Sequence, residues 1–214
     1  MKGIFITFEG TEGGGKSTQI GLLADRLRKM HRVVRLLREP GGTPIGEEIR
    51  HTLKYSQDNQ AMTAEAELLL MNASRAQLVR EIIRPALAAG EIVLSDRFYD
   101  STIAYQGYGR GLDLESVRRV IRFAVGETQP HLTLLLDVPI DVSERRRHER
   151  QALLFVPEKR DRMEEADRAF FQRVEQGYEA IAVAEPKRVR RIDGTQSREA
   201  AAAAVWKTAE PLLD

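Results

Sequence analysis

Short apolar runs and helical apolar stripes alternate along the chain. Five runs read as strands: "GIFITFE" from Gly3, "RVVRLLRE" from Arg32, "EIVLSD" from Glu91, "LTLLLDV" from Leu132 and "RVRRIDG" from Arg188. Between them the spacing of apolar positions lengthens to that of a helix. "KSTQIGLLADRLRKM" sets Ile20, Leu23 and Leu27 on one face, and "AEAELLLMNASRAQLVREIIRPALAAG" carries an apolar face up to Gly90, a residue suited to stop a helix. Further helices are predicted near 113–125, 164–184 and 196–213. Strands alternating with helices imply βαβ units, hence an α/β fold with a mostly parallel sheet covered on both faces, and ligands bind beyond the carboxyl ends of such strands.

No Pro/Gly/Ser-rich linker divides the 214 residues, so 1–214 reads as a single domain. A hydrophobic share of 42% and a charged share of 30% fit a globular chain, and a net charge of +1 argues against nucleic-acid binding through bulk electrostatics. With no cysteine there is neither a disulfide framework nor a thiolate metal site. No stretch has signal-peptide form or membrane-spanning length, so a cytoplasmic location without a membrane partner is the expectation.

The sharpest signal is "GTEGGGKS". Gly10, Thr11, Glu12, Gly13, Gly14, Gly15, Lys16 and Ser17 match G-x-x-x-x-G-K-[ST] between a predicted strand and a predicted helix, which Thr18 continues. Such a loop turns its backbone N–H groups onto phosphates, its lysine bridges β- and γ-oxygens, and its hydroxyl takes a Mg²⁺ position. Glu12 is the oddity, because an anion aimed at the triphosphate would oppose that field. It has to face elsewhere: a hydroxyl or Mg²⁺-bound water at the mouth of the loop, or solvent.

Two more segments begin at the ligand-binding edge of the sheet, "LLREPGGTPIGEEIR" and "SDRFYDSTIAYQGYGRG". They offer Arg38 and Arg97 for a bidentate grip on phosphate, and Asp96 for a Mg²⁺-bound water. Asp137 is a second acidic strand end, but Val138 and Pro139 after it suggest a cap for the next helix.

Taken together, these motifs resemble the thymidylate kinase family over nearly the whole chain. The acidic glycine loop, "REPGGT", "DRF", "S-x-x-AYQG-x-GRG", "DRMEE" with "FFQRVEQGY", and a closing "IDGTQ" stand in the family's order. The resemblance implies transfer of the γ-phosphoryl of Mg-ATP to thymidine monophosphate (dTMP). It also implies a three-layer P-loop fold on a five-stranded parallel sheet, a mobile lid and a homodimer. By the same likeness Glu12 faces the acceptor 3′-hydroxyl, and Arg38 and Arg97 surround its phosphate. Arg75 contacts the base, Ser101 belongs to the acceptor site, Thr102 and Gln106 lie near the thymine edge, and Tyr105 lies beneath the sugar, where it crowds a ribose 2′-hydroxyl. Met71 stands where members commonly carry a stacking phenylalanine. It can cover a base face with its thioether or simply pack in the core. Phe98 replaces the commoner tyrosine or histidine.

Members whose loop lacks a basic residue in its variable positions draw that charge from the lid. Here the lid segment, about 147–163, supplies Arg147, Arg150, Arg160 and Arg162, of which Arg150 and Arg160 bracket "QALLFVPEK" and are the expected catalytic pair. A solvated charged face is the competing reading of this run. The other functional alternatives are a kinase for a different nucleoside monophosphate and a non-catalytic P-loop switch. The switch would want a guanine-reading N/T-K-x-D motif, which the sequence lacks.

Overall fold

The computed structural model describes residues 2–56, 59, 61–152 and 167–213, with the backbone alone at 147, 148 and 150–152. Five parallel strands, β1 (Ile4–Glu9), β2 (Val34–Arg38), β3 (Ile92–Asp96), β4 (Leu132–Asp137) and β5 (Val189–Asp193), form one sheet in the order β2-β3-β1-β4-β5. The register sets Phe8 beside Asp96 and Glu9 beside Leu135, so the chain leaves β1 and β3 at the same edge.

The three central strands are buried on both faces, which is why they read as continuous apolar runs rather than alternating ones. Their period of two feeds two cores. Phe5, Val93 and Leu135 join a cluster on one side of the sheet with residues of α3 (Ala64–Leu78), α6 (Leu114–Val125) and α8 (Arg168–Ala184). Ile6, Phe8, Leu94, Leu134 and Leu136 join the other, with α1 (Lys16–Lys29) and α9 (Arg198–Ala209). The edge strands β2 and β5 are half polar, as single-sided burial requires.

The long helix expected to end at Gly90 does so, but in three pieces. α3 runs into a π-helical turn, Val79–Ile83, and then α4 (Arg84–Ala88), with Gly90 at φ 78°. The wider π turn lies just before Pro85, whose ring would clash with the carbonyl four residues back in a regular helix. α6, α8 and α9 start on Asp113, Asp167 and Ser197, each accepting from a backbone N–H three residues on.

Two helices at the ligand edge complete the frame. α2 (Pro44–Lys54) starts on Thr43, whose hydroxyl accepts from the Gly46 N–H, with Pro44 in its first turn. After β3 the chain forms α5 (Tyr99–Thr102) and a π-helical stretch, Ile103–Gly109, which packs on α8. α7 (Ile140–Ala152) corrects one expectation. Asp137 does not cap it: its carboxylate takes the Arg191 guanidinium at 2.5 Å, and the Pro139 carbonyl accepts from Val142 and Ser143 instead. The spacing through Pro139 sets Asp137 too far ahead of the first turn.

Candidate active site

The glycine loop joins β1 to α1 at the edge where β3 also ends. Gly10 sits at φ 122°, and a Cβ there would lie 2.3 Å from the Leu136 carbonyl oxygen, so glycine alone fits. Gly15, at φ 90°, takes the N-cap position without a side-chain cap, which leaves the first N–H groups of α1 for an anion. The Lys16 ammonium folds over the loop, donating to the carbonyls of Thr11 at 2.9 Å and Gly10 at 3.1 Å. Burial and the neighbouring Arg97 charge pull its pKa down, against Glu12, Asp96 and Glu9. α7 clamps the loop from outside: Ser143 donates to the Glu12 carbonyl, and Arg146 donates to the Gly194 carbonyl at 2.8 Å.

Ser17 and Asp96, from α1 and β3, meet at the mouth of the loop, where the hydroxyl donates to the carboxylate at 2.9 Å. One residue further on, Arg97 adopts φ 71°, a left-handed conformation rare outside glycine. Its backbone N–H is held by the Phe8 carbonyl, and its guanidinium turns back over the loop. Nη2 donates to Glu12 at 2.7 Å and to the Tyr105 hydroxyl at 3.3 Å; Nη1 donates to Ser101 at 3.0 Å and to the Tyr178 hydroxyl at 3.1 Å. Burial alone would raise the Glu12 pKa, but the Arg97 and Lys16 charges outweigh it and hold the carboxyl well below the usual range.

Beyond Arg97 opens a cavity whose empty space, continuous with solvent, amounts to about 560 Å³. Glu12, Arg97, Ser101 and Tyr105 line it on the loop side, and Met71, Arg75, Thr102 and Gln106 line it further in. Phe98 closes its floor with a ring packed edge-on against Phe5 at 5.0 Å, and Phe171 of α8 adds a wall. A phosphate loop and an adjoining cavity that meet at Glu12, with Arg97 beside it, are what transfer between two bound nucleotides needs. A family model described as thymidylate kinase matches residues 8–205.

The chain belongs to the thymidylate kinase family. It is 47% identical over 210 residues to the thymidylate kinase of Syntrophotalea carbinolica, covering 98% of this chain and 96% of that one. It is 49% identical over 199 residues to that of Exiguobacterium sibiricum, covering 93% and 90%. The crystal structure of thymidylate kinase from Ehrlichia chaffeensis superposes with a TM-score of 0.76 at 33% identity, covering 97% of this chain and 98% of that one. The five-stranded parallel P-loop fold expected from the sequence is the fold observed. The activity is that of an ATP-dependent kinase acting on dTMP to give dTDP.

Of the residues named from the sequence of this kinase for the acceptor, Glu12, Met71, Arg75, Arg97, Ser101, Thr102, Tyr105 and Gln106 line the cavity, while the rest of the glycine loop, with Ser17 and Asp96, lies beside it; Arg38 and the lid arginines stand apart. Arg38 ends β2 outside the cavity lining, half exposed, with Nη2 donating to Glu47 at 2.9 Å. The lid arginines Arg160 and Arg162, and the side chains of Arg147 and Arg150, lie outside the described residues. Arg75 lines the cavity but is 2% exposed and makes five contacts within the protein, matching its five donors. Glu39 takes two of them, and Asn72, Thr102 and the Phe98 carbonyl take the others.

Glu9 escaped the sequence reading. It is fully buried at the end of β1, accepting from the Phe98 N–H at 2.7 Å, from Ser101, and from the Tyr178 hydroxyl at 3.0 Å. Ser101 and Tyr178 are also the acceptors of Arg97 Nη1, so Glu9 braces Arg97 through both. Burial first, and the Asp100 charge second, push its pKa up to about 7 despite Arg97. The only hint in the sequence is a carboxylate directly before the glycine loop.

Proposed function

We propose that the glycine loop holds ATP and the adjoining cavity holds dTMP, with the two phosphates meeting between Lys16 and Arg97. The observation that carries this reading is the shared wall: Glu12 belongs to the phosphate loop and lines the cavity together with Arg97. The loop N–H groups of Gly13, Gly14 and Gly15 bind the ATP phosphates along with Lys16, Ser17 and Thr18. The acceptor oxygen belongs to a phosphate whose second pKa is about 6, so it is already ionised and needs no general base. The barrier is the approach of two anions, lowered when Lys16 and Arg97 neutralise and align them.

Glu12, itself ionised, is repelled by both phosphates and takes the acceptor's 3′-hydroxyl as its donor. The Tyr105 ring lies under the sugar with the Arg97 guanidinium 5.0 Å from its centroid. Met71 covers the base face, and Thr102, Gln106 and Arg75 surround its edge. Ser17 and Asp96 offer two hard oxygens side by side, a pair suited to Mg²⁺, which takes few protein ligands alongside phosphate oxygens. When bound, Mg²⁺ neutralises and orients the ATP phosphates.

The chain works as one domain, in the cytoplasm, and as a homodimer. α3 packs between α2 and α6, and each of the three carries an exposed large apolar residue: Ile45, Leu69 and Phe123. Phe123 is 88% exposed, an arrangement that a second copy would cover.

The test is ADP release with a panel of nucleoside monophosphates. dTMP is expected to be the best acceptor, dUMP intermediate and UMP poor. Comparable turnover with purine monophosphates would remove the assignment of the cavity to thymine.

A further inference from the structure

Gln106 lines the cavity with a carboxamide, a group almost symmetric in shape but opposite in chemistry at its two ends: one end accepts and the other donates. Which end meets a base is decided by what stands behind it. Behind Gln106 stands Glu67, 1% exposed, with Oε1 2.9 Å from Gln106 Nε2. Glu67 is in turn gripped by Arg110, whose Nε donates to Oε1 at 3.1 Å and Nη2 to Oε2 at 3.0 Å. A carboxylate in an ion pair has acceptors only. It therefore takes the NH₂ end of Gln106 and leaves the carbonyl end for the cavity.

We infer that Glu67 is the positioning residue that sets base specificity, by locking Gln106 with its acceptor toward the base. The inference rests on the cavity being the acceptor site. An acceptor there pairs with a pyrimidine that carries a hydrogen on N3, as thymine and uracil do. Cytosine presents a lone pair at N3, so two acceptors would face each other in a buried site with no compensating donor. Glu67, Met71 and Arg75 follow at intervals of four on α3, so one helix face carries the lock, the base cover and the arginine beside the edge.

Glu67→Gln tests this directly. Arg110 would hold the new carboxamide by its oxygen, turning its NH₂ toward Gln106 and so reversing Gln106. The best probe pair is dTMP and 5-methyl-dCMP, which differ only at N3 and C4 of the base. The ratio of kcat/KM for dTMP over 5-methyl-dCMP is expected to fall by about tenfold or more, whereas the ratio for dTMP over dUMP stays put, since both carry the N3 hydrogen. A purely structural role would lower all three together. Arg110→Met, at the partly exposed end of the pair, loosens the same lock and is expected to lower the first ratio by about threefold or more. It decides the matter if Glu67→Gln does not fold. An unchanged dTMP to 5-methyl-dCMP ratio in the variants that fold overturns the inference. Gln106→Leu separates this from the underlying reading. If it leaves kcat/KM for dTMP intact, the cavity assignment fails. If it is costly while the ratios hold in the other variants, only the role of Glu67 fails.

Discussion

The Arg97 guanidinium lies 2.7 Å from the Glu12 carboxylate, tying the phosphate loop to the segment after β3 across 85 residues of chain. In the proposed arrangement the pair explains how an anion can sit in a phosphate loop: Glu12, bound to Arg97, faces the acceptor side rather than the triphosphate. Glu12→Gln keeps the shape and one acceptor oxygen but loses the charge. A hydrogen bond to a charged group contributes about 1.5 to 3 kcal/mol, so KM for dTMP is expected to rise roughly tenfold to a hundredfold. ATP affinity is expected to change by no more than about twofold. Paired titrations of the two nucleotides check this, and a loss confined to ATP would put Glu12 on the wrong substrate.

Glu9 makes stability depend on pH with a sign that can be worked out. Its folded pKa, about 7, lies above the ordinary value of 4.5, so between these values the folded state holds more protons than the unfolded state. The contribution is fully present below 4.5 and is lost as pH rises through about 7. His131 works in the opposite sense, because burial pulls its pKa below the usual value of 6.5. The informative quantity is therefore a difference. Tm of the wild type should fall relative to that of Glu9→Gln, which cannot ionise, as pH is raised from about 5 to about 8. Parallel Tm profiles would show that Glu9 does not titrate there.

How far the sequence was legible follows from the range of the forces involved. The strands, the glycine loop and the helix ending at Gly90 depend on local pattern, and all were readable. So was the convergence of Ser17 with Asp96, because both stand at strand or helix ends on one edge of the sheet. α2 was not read as a helix, although Thr43 and Pro44 announce its start, because Gly46 interrupts the pattern. Pairings between distant side chains were the least legible. Nothing near Arg38 indicates that Glu47 will take its charge, and nothing near Glu9 reveals Tyr178, 169 residues away. The burial of Glu67 likewise depends on Gln106 and Arg110, which only the fold brings to α3.

Tyr105 offers a test of sugar selection. Its ring is buried, its hydroxyl meets Arg97 at 3.3 Å, and burial raises its pKa to about 12, so it stays a neutral phenol. Deoxyuridine and uridine monophosphates share a base and differ at the 2′-hydroxyl, which isolates the steric term. Tyr105→Ala should lower the dUMP to UMP ratio of kcat/KM by about tenfold, mainly by admitting UMP. Tyr105→Phe keeps the ring and should hold the ratio while weakening the Arg97 contact. If the alanine variant discriminates as well as the wild type, the selection lies elsewhere.

Positive charge near the reacting phosphates is limited among the described residues. The charge of Arg97 is partly offset by Glu12, the loop between Gly10 and Lys16 carries no basic residue, and Arg146 is spent on the Gly194 carbonyl. Lys16 cannot neutralise a transferring phosphoryl alone, so arginines of the segment 147–163 are expected to supply the rest. Such a residue acts mainly in the transition state. Its removal should therefore lower kcat with little change in KM, and loss of one such contact costs on the order of 3 kcal/mol, about a hundredfold. Arg150→Ala and Arg160→Ala are expected to show this, with Arg147→Ala and Arg162→Ala affected less. Single-turnover rates at saturating nucleotide read the chemical step directly. Four variants with near-wild-type rates would return this arginine run to a solvated surface and leave the neutralisation to Lys16 and Arg97.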